Sequence, residues 1–205
     1  MLNYLTEKTF RYLVKHKVVD NNTEFENAWL RYGIEITYSS IIGILTIVVL
    51  SLLLNSFCEG FVFLCVFVST RQFTGGYHAE TYLKCNISLS LSYVIVVLIS
   101  KYTISVLSLP FCIAALLLEL IAILVFCPIK NRYKPIKSKR QHMRCKAIGV
   151  AMFVLYALVG LYLLHENLVV GSVIQYTLHF IIVLCVIGYL KERGYKNEED
   201  SEGNC

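Results

Sequence analysis

Six apolar runs, at about 34–57, 60–70, 86–100, 103–127, 147–165 and 168–190, make up most of the chain, and the charged residues are gathered in the blocks between them. That alternation is the arrangement of a polytopic membrane protein and argues against a soluble enzyme. Composition agrees, with 57% of the 205 residues hydrophobic and 16% charged, against roughly 45–50% apolar content in a soluble domain. Mean hydropathy is +0.62. The expected fold is all-α with six transmembrane helices. A helix rises about 1.5 Å per residue and the hydrocarbon core is about 30 Å thick, so the run 60–70 cannot cross alone. It must borrow neighbours or lie in a thinned, protein-lined region.

Charge sets the expected orientation. With the N-terminus inside, residues 1–33, 71–85, 128–146 and 191–205 face the cytoplasm, and only tight turns near Cys58-Glu59, Lys101-Tyr102 and His165-Glu166-Asn167 lie outside. Of the 19 Lys and Arg residues, 18 then fall inside and only Lys101 outside, which is the positive-inside bias. Losing the 60–70 span would split the basic blocks across both faces. The expectation is a multi-pass protein of the cytoplasmic membrane with both termini cytoplasmic. The net charge of +5 has the same topogenic origin, so no nucleic-acid partner is expected.

Residues 1–33 form the first expected segment. They carry Lys8, Arg11, Lys15, Asp20, Glu24, Glu26 and Arg31 with no apolar core before a cleavage site, so no cleavable signal peptide is expected. On a helical wheel Leu2, Leu5, Thr9, Phe10 and Leu13 share one side and Lys8, Arg11 and Lys15 the other. This describes an N-terminal interfacial amphipathic helix on an anionic leaflet, or a solvated helix packed on the protein. Residues 34–190 form the membrane domain. Residues 191–205 are a charged tail, expected to be disordered. Cys65, Cys112, Cys127 and Cys185 lie within or at the ends of apolar runs without zinc-type spacing, and read as small hydrophobes.

The stretch from Arg71 to Cys85 places polar and flexible residues where the shortest run ends. Its Gly75-Gly76 pair lets the chain turn and bring amides close to a bound group. His78 and Cys85 follow, seven residues apart. A cysteine nucleophile needs a base in hydrogen-bond reach, and an imidazole supplies one. On one regular helix the two would share a face but stand roughly 10 Å apart along the axis. A working pair therefore needs a break between them, a helix beginning after His78 with its side chain folded back, or one member from each of two subunits. An interfacial His, a buried Cys and a membrane-edge turn are the structural alternative.

Arg71 through Cys85 resembles the signature of the accessory gene regulator B (AgrB) peptidases: Arg, a Gly-containing turn, His followed by Ala79, and Cys seven residues after the His. Arg31-Tyr32-Gly33-Ile34-Glu35-Ile36 resembles the Tyr-Gly-hydrophobic-Glu run that opens the family's first span. The resemblance implies a membrane cysteine endopeptidase that removes the C-terminal tail of an AgrD-like propeptide. The retained acyl group then closes into a thiolactone or lactone, a quorum-sensing autoinducing peptide. By position, Cys85 matches the nucleophile and His78 the general base. Arg71, Glu35, Gly75 and Gly76 match supporting or substrate-binding positions. No metal or organic cofactor is implied.

The block 128–146, read as a basic loop, holds eight basic residues and no acidic one. It is topogenic charge that attracts anionic lipid. Lys130, Arg132, Lys134, Lys137, Lys139 and Arg140 would also attract an acidic propeptide tail. Glu119 falls inside an apolar run, where a charge must be paired or neutralised. His179 and Gln175 read as interhelical hydrogen-bonders. The main rival function is a small-solute or peptide transporter without proteolysis. A short second span would gain shelter from a second copy, so a homodimer is compatible with the sequence.

Overall fold

A computed structural model describes residues 2–16, 24–74, 81–103, 107–127 and 139–202. The elements among the described residues are helices: α1 (Leu2–Lys15), α2 (Glu24–Leu53), α3 (Phe57–Thr74), α4 (Tyr82–Thr103), α5 (Leu109–Phe126), α6 (Lys139–His165) and α7 (Val169–Glu202). Five of these are long and apolar enough to cross a membrane, at Leu30–Leu53, Tyr82–Thr103, Leu109–Phe126, Arg140–His165 and Val169–Leu190. The short run 60–70 is the middle of the 18-residue helix α3, which has borrowed neighbours at both ends. Its last turns, Ser69-Thr70-Arg71-Gln72, are polar, and for that reason α3 stands apart from the five.

Local chemistry explains where the helices stop. Asn55 (φ 47°) and Asn167 (φ 57°) are left-handed, a conformation Asn tolerates better than most residues. After α2 the Ser56 amide donates to Ser51 O at 2.9 Å and that of Asn55 to Leu52 O at 3.3 Å. After α6, Leu168 donates to Leu163 O and Asn167 to Leu164 O, each at 3.0 Å. Both ends are Schellman motifs. The first turn therefore lies at Asn55, not at Cys58-Glu59. Glu59 instead occupies the first turn of α3, where its charge complements the helix dipole. Pro110 starts α5, and Cys127, which precedes Pro128, is extended (φ −99°, ψ 154°) and ends it.

Three expectations about the flanks are corrected. Residues 24–33 belong to α2, so the segment 1–33 is not one unit. The basic block is helical from Lys139 onward, in keeping with the strong propensity of Lys, Arg, Gln and Met. The tail expected to be disordered continues α7 as helix to Glu202. Extension of an existing helix needs no new nucleus.

Helix α7 is the centre of the bundle: 61% of its apolar span is buried, against 17–28% for the other four. Helix α3 packs against α7, α6, α2 and α4. Large side chains such as Leu45, Leu118, Val125 and Leu158 point outward, exposed, as in a protein solvated by lipid. Close approach of α6 and α7 depends on glycine. A Cβ on Gly160 would come 2.9 Å from Gln175 Nε2, and one on Gly171 would come 2.4 Å from Leu164 N.

Glu119 of α5 meets His179 of α7, carboxylate to Nδ1, and Gln175 donates across to Ala157 O at 3.4 Å. Because an orphaned buried partner costs more than a pair replaced whole, His179→Leu is expected to destabilise the protein by about 1–3 kcal/mol. Changing both Glu119 and His179 to Leu is expected to come out near neutral. Thermal unfolding of the purified variants in one lipid makes the comparison, and equal losses would contradict it.

Candidate active site where α3 ends and α4 begins

The ends of the bundle are distinct. At one end Lys101 Nζ donates to Leu54 O at 2.9 Å and Tyr93 bonds Ser56 at 2.9 Å, which joins α4 to the α2–α3 turn. At the other end Thr74, the last residue of α3, hydrogen-bonds Cys185 of α7, and α6 approaches at Gly149, whose added Cβ would lie 3.4 Å from Thr74 Cγ2. The chain leaves α3 here and enters α4 at Tyr82, so residues 71–74 and 81–85 lie at one end of the bundle.

Thr81 caps α4. Its hydroxyl accepts the Lys84 amide at 3.3 Å, and its carbonyl accepts that of Cys85 at 3.1 Å. Cys85 therefore sits in the first turn of α4, half-buried and not in a disulfide. A helix beginning after His78 is one of the arrangements a working thiol–imidazole pair requires. Gly75, Gly76 and His78 themselves lie outside the described residues, as do Lys130, Arg132, Lys134 and Lys137. Lys139 and Arg140 open α6, with Arg140 exposed.

The first turn of α4 is held to α2 by residues of the upstream motif. The Tyr82 hydroxyl hydrogen-bonds the Glu35 carboxylate, and Tyr32 lies nearby. One turn on, Asn86 approaches Gly43, where a Cβ would come 3.0 Å from its Oδ1. Arg31 reaches back to α1, pairing with Glu7 at 2.9 Å and covering the Phe10 ring at 4.5 Å. Thr9 and Tyr38 add a hydroxyl pair at 2.7 Å. Thr6 and Phe10 are buried, so α1 is packed on the protein through one face. Arg71 stacks over Phe67 at 5.2 Å and acts electrostatically on Cys185.

Sequence reading singled out Cys85 and Glu35 but passed over Tyr82. The signal was available: Tyr82 precedes Cys85 by three, which puts both on one helical face. Tyr82→Phe and Glu35→Gln are each expected to lower thermal stability by about 1 kcal/mol. The double variant is expected to be no worse than the poorer single one. Additive losses in the same lipid would show that the two do not act as a pair.

Among the described residues no group of three or more His, Cys, Asp or Glu could hold a metal ion. No solved structure matches the chain significantly. Protein FsrB of Enterococcus faecalis (strain ATCC 47077 / OG1RF) is 30% identical over 71% of this chain and 68% of its own length. Residues 6–191, which include all of α2 to α6, most of α1 and the apolar part of α7, match the family Accessory gene regulator B. The chain is thus a multi-pass membrane protein of the quorum-sensing accessory gene regulator B family.

Proposed function

We propose that this protein is a membrane cysteine endopeptidase that cuts the C-terminal tail from an AgrD-like propeptide and passes the retained acyl group to an internal thiol or hydroxyl. The observation that carries the reading is the start of α4 at Tyr82, capped by Thr81. It puts Cys85 in the first turn of a helix that begins after His78, instead of a turn and more along a helix containing both.

In this reading the Cys85 thiolate attacks the scissile carbonyl while the positive end of α4 faces its charge. His78 takes the thiol proton and returns it to the leaving amine, and a thioester remains. Attack by an internal cysteine exchanges one thioester for another at little energetic cost. Ring closure then depends on excluding water and holding that thiol near the acyl carbon. A site at the edge of a bilayer does both. Glu35 acts through Tyr82 on the seat of Cys85, and Arg71 with Gly75 and Gly76 supports the turn that brings His78 in. Lys130, Arg132, Lys134, Lys137, Lys139 and Arg140 draw the acidic tail to the same, cytoplasmic, face.

The test is reconstitution. Purified protein in lipid vesicles is expected to cleave a cognate propeptide into two fragments without added metal or nucleotide. Solute or peptide flux with the propeptide left intact would instead establish the transporter.

A further inference from the structure

Cys127 and Cys185 do not take part in the proposed chemistry, yet they are more than filling for apolar runs. Cys127 ends α5 and Cys185 lies on α7, 58 residues apart, with Sγ atoms 3.6 Å from each other. Both are buried, 5% and 2% exposed. Two cations flank them: the Arg71 guanidinium acts on Cys185, and Lys146 acts on Cys127 while donating to Leu124 O at 2.6 Å. Thr74 completes the cluster with its hydrogen bond to Cys185. Four helices thus converge on one pair of sulfurs with two cations beside it. A disulfide has its sulfurs about 2.05 Å apart, so the pair at 3.6 Å needs an approach of about 1.5 Å.

We propose that Cys127 and Cys185 are a dithiol that hydrogen peroxide converts to a disulfide, which staples the end of α5 to α7 beside the last turn of α3. Peroxide is small and uncharged and can enter the bundle. One sulfur attacks the O–O bond, giving a sulfenic acid and one water. The second sulfur attacks the first, forming the S–S bond and expelling a second water. Two thiols lose two electrons and two protons, peroxide takes both, and nothing else is consumed. The exposed Cys58 and Cys65 have no thiol at such a distance among the described residues and would stop at sulfenic acid or climb to sulfinic acid. A reducing cytosol keeps the pair as thiols until peroxide rises.

The experiment treats the whole protein in lipid vesicles with graded hydrogen peroxide, then unfolds it, alkylates free thiols and maps every cysteine by mass spectrometry. The expected product is a peptide pair joined through Cys127 and Cys185, lighter by two hydrogens and restored by dithiothreitol, appearing before any other cysteine pairing. Cys127→Ala and Cys185→Ala are each expected to remove it and to leave the remaining thiol as a dimedone-reactive sulfenic acid. Oxidation of Cys58 or Cys65 in the unsubstituted protein while Cys127 and Cys185 both remain alkylatable would overturn the proposal, whatever the single variants do.

Discussion

Cys85→Ala is expected to abolish propeptide cleavage by the reconstituted protein, a loss of at least about 10⁴-fold, because removing a nucleophile removes the covalent route altogether. Cys65→Ala, at an exposed site on α3, is the control and is expected to cleave normally. The difference between the two cysteines is one of placement. Cys85 stands in the first turn of α4, whereas Cys65 lies along the apolar part of α3. Timed digestion followed by mass spectrometry reads both. Cleavage by Cys85→Ala at the normal rate would remove the cysteine mechanism and leave family membership intact.

Gly171→Val is expected to have the largest effect on folding. A Cβ at Gly171 would lie 2.4 Å from Leu164 N, 2.7 Å from Leu163 C and 2.9 Å from Leu164 Cα. All three are backbone atoms of α6, so no side chain can turn aside to make room. The hairpin between α6 and α7 must open, and α7 is the helix on which the bundle is built. A loss of more than about 3 kcal/mol is expected, read as a fall in monodisperse yield and in thermal midpoint. Gly33 is the contrast, with nothing within 4 Å of its added Cβ. Gly33→Ala is expected to hold or gain about 0.5–1 kcal/mol through helix propensity. Equal tolerance of both changes would contradict the packing described for α6 and α7.

Much of the fold was legible because a membrane helix declares itself by composition alone. The apolar runs locate α2, α4, α5, α6 and α7, and the amphipathic wheel locates α1. What misled were features that composition does not report. Glu59 looked like a turn because it is charged, yet a charge in the first turn of a helix is favourable, and the real signal was the left-handed Asn55 four residues earlier. Residues 191–202 looked disordered because they are charged and free of long apolar runs, but they extend a helix whose nucleation has already taken place. The helix α3 looked too short because its polar end was not counted.

The candidate site divides in the same way. Cys85 and Glu35 stood out through their setting at the ends of apolar runs and through resemblance. Tyr82 did not, since its role comes from a contact between α2 and α4 that no local spacing encodes. The Cys127–Cys185 pair is a further case: 58 residues separate the two, and only the meeting of α5 with α7 brings them together. Long-range pairing inside a bundle depends on helix crossing and rotation, which hydropathy leaves undetermined.

The most direct measurement is the intact mass of the protein quenched in acid during turnover of a cognate propeptide. The account predicts a species heavier by the N-terminal propeptide fragment, mapped to Cys85, released by hydroxylamine as a thioester and absent from Cys85→Ala. Steady cleavage with Cys85 unmodified at every time point, in a protein whose turnover survives alkylation of that thiol, would contradict it.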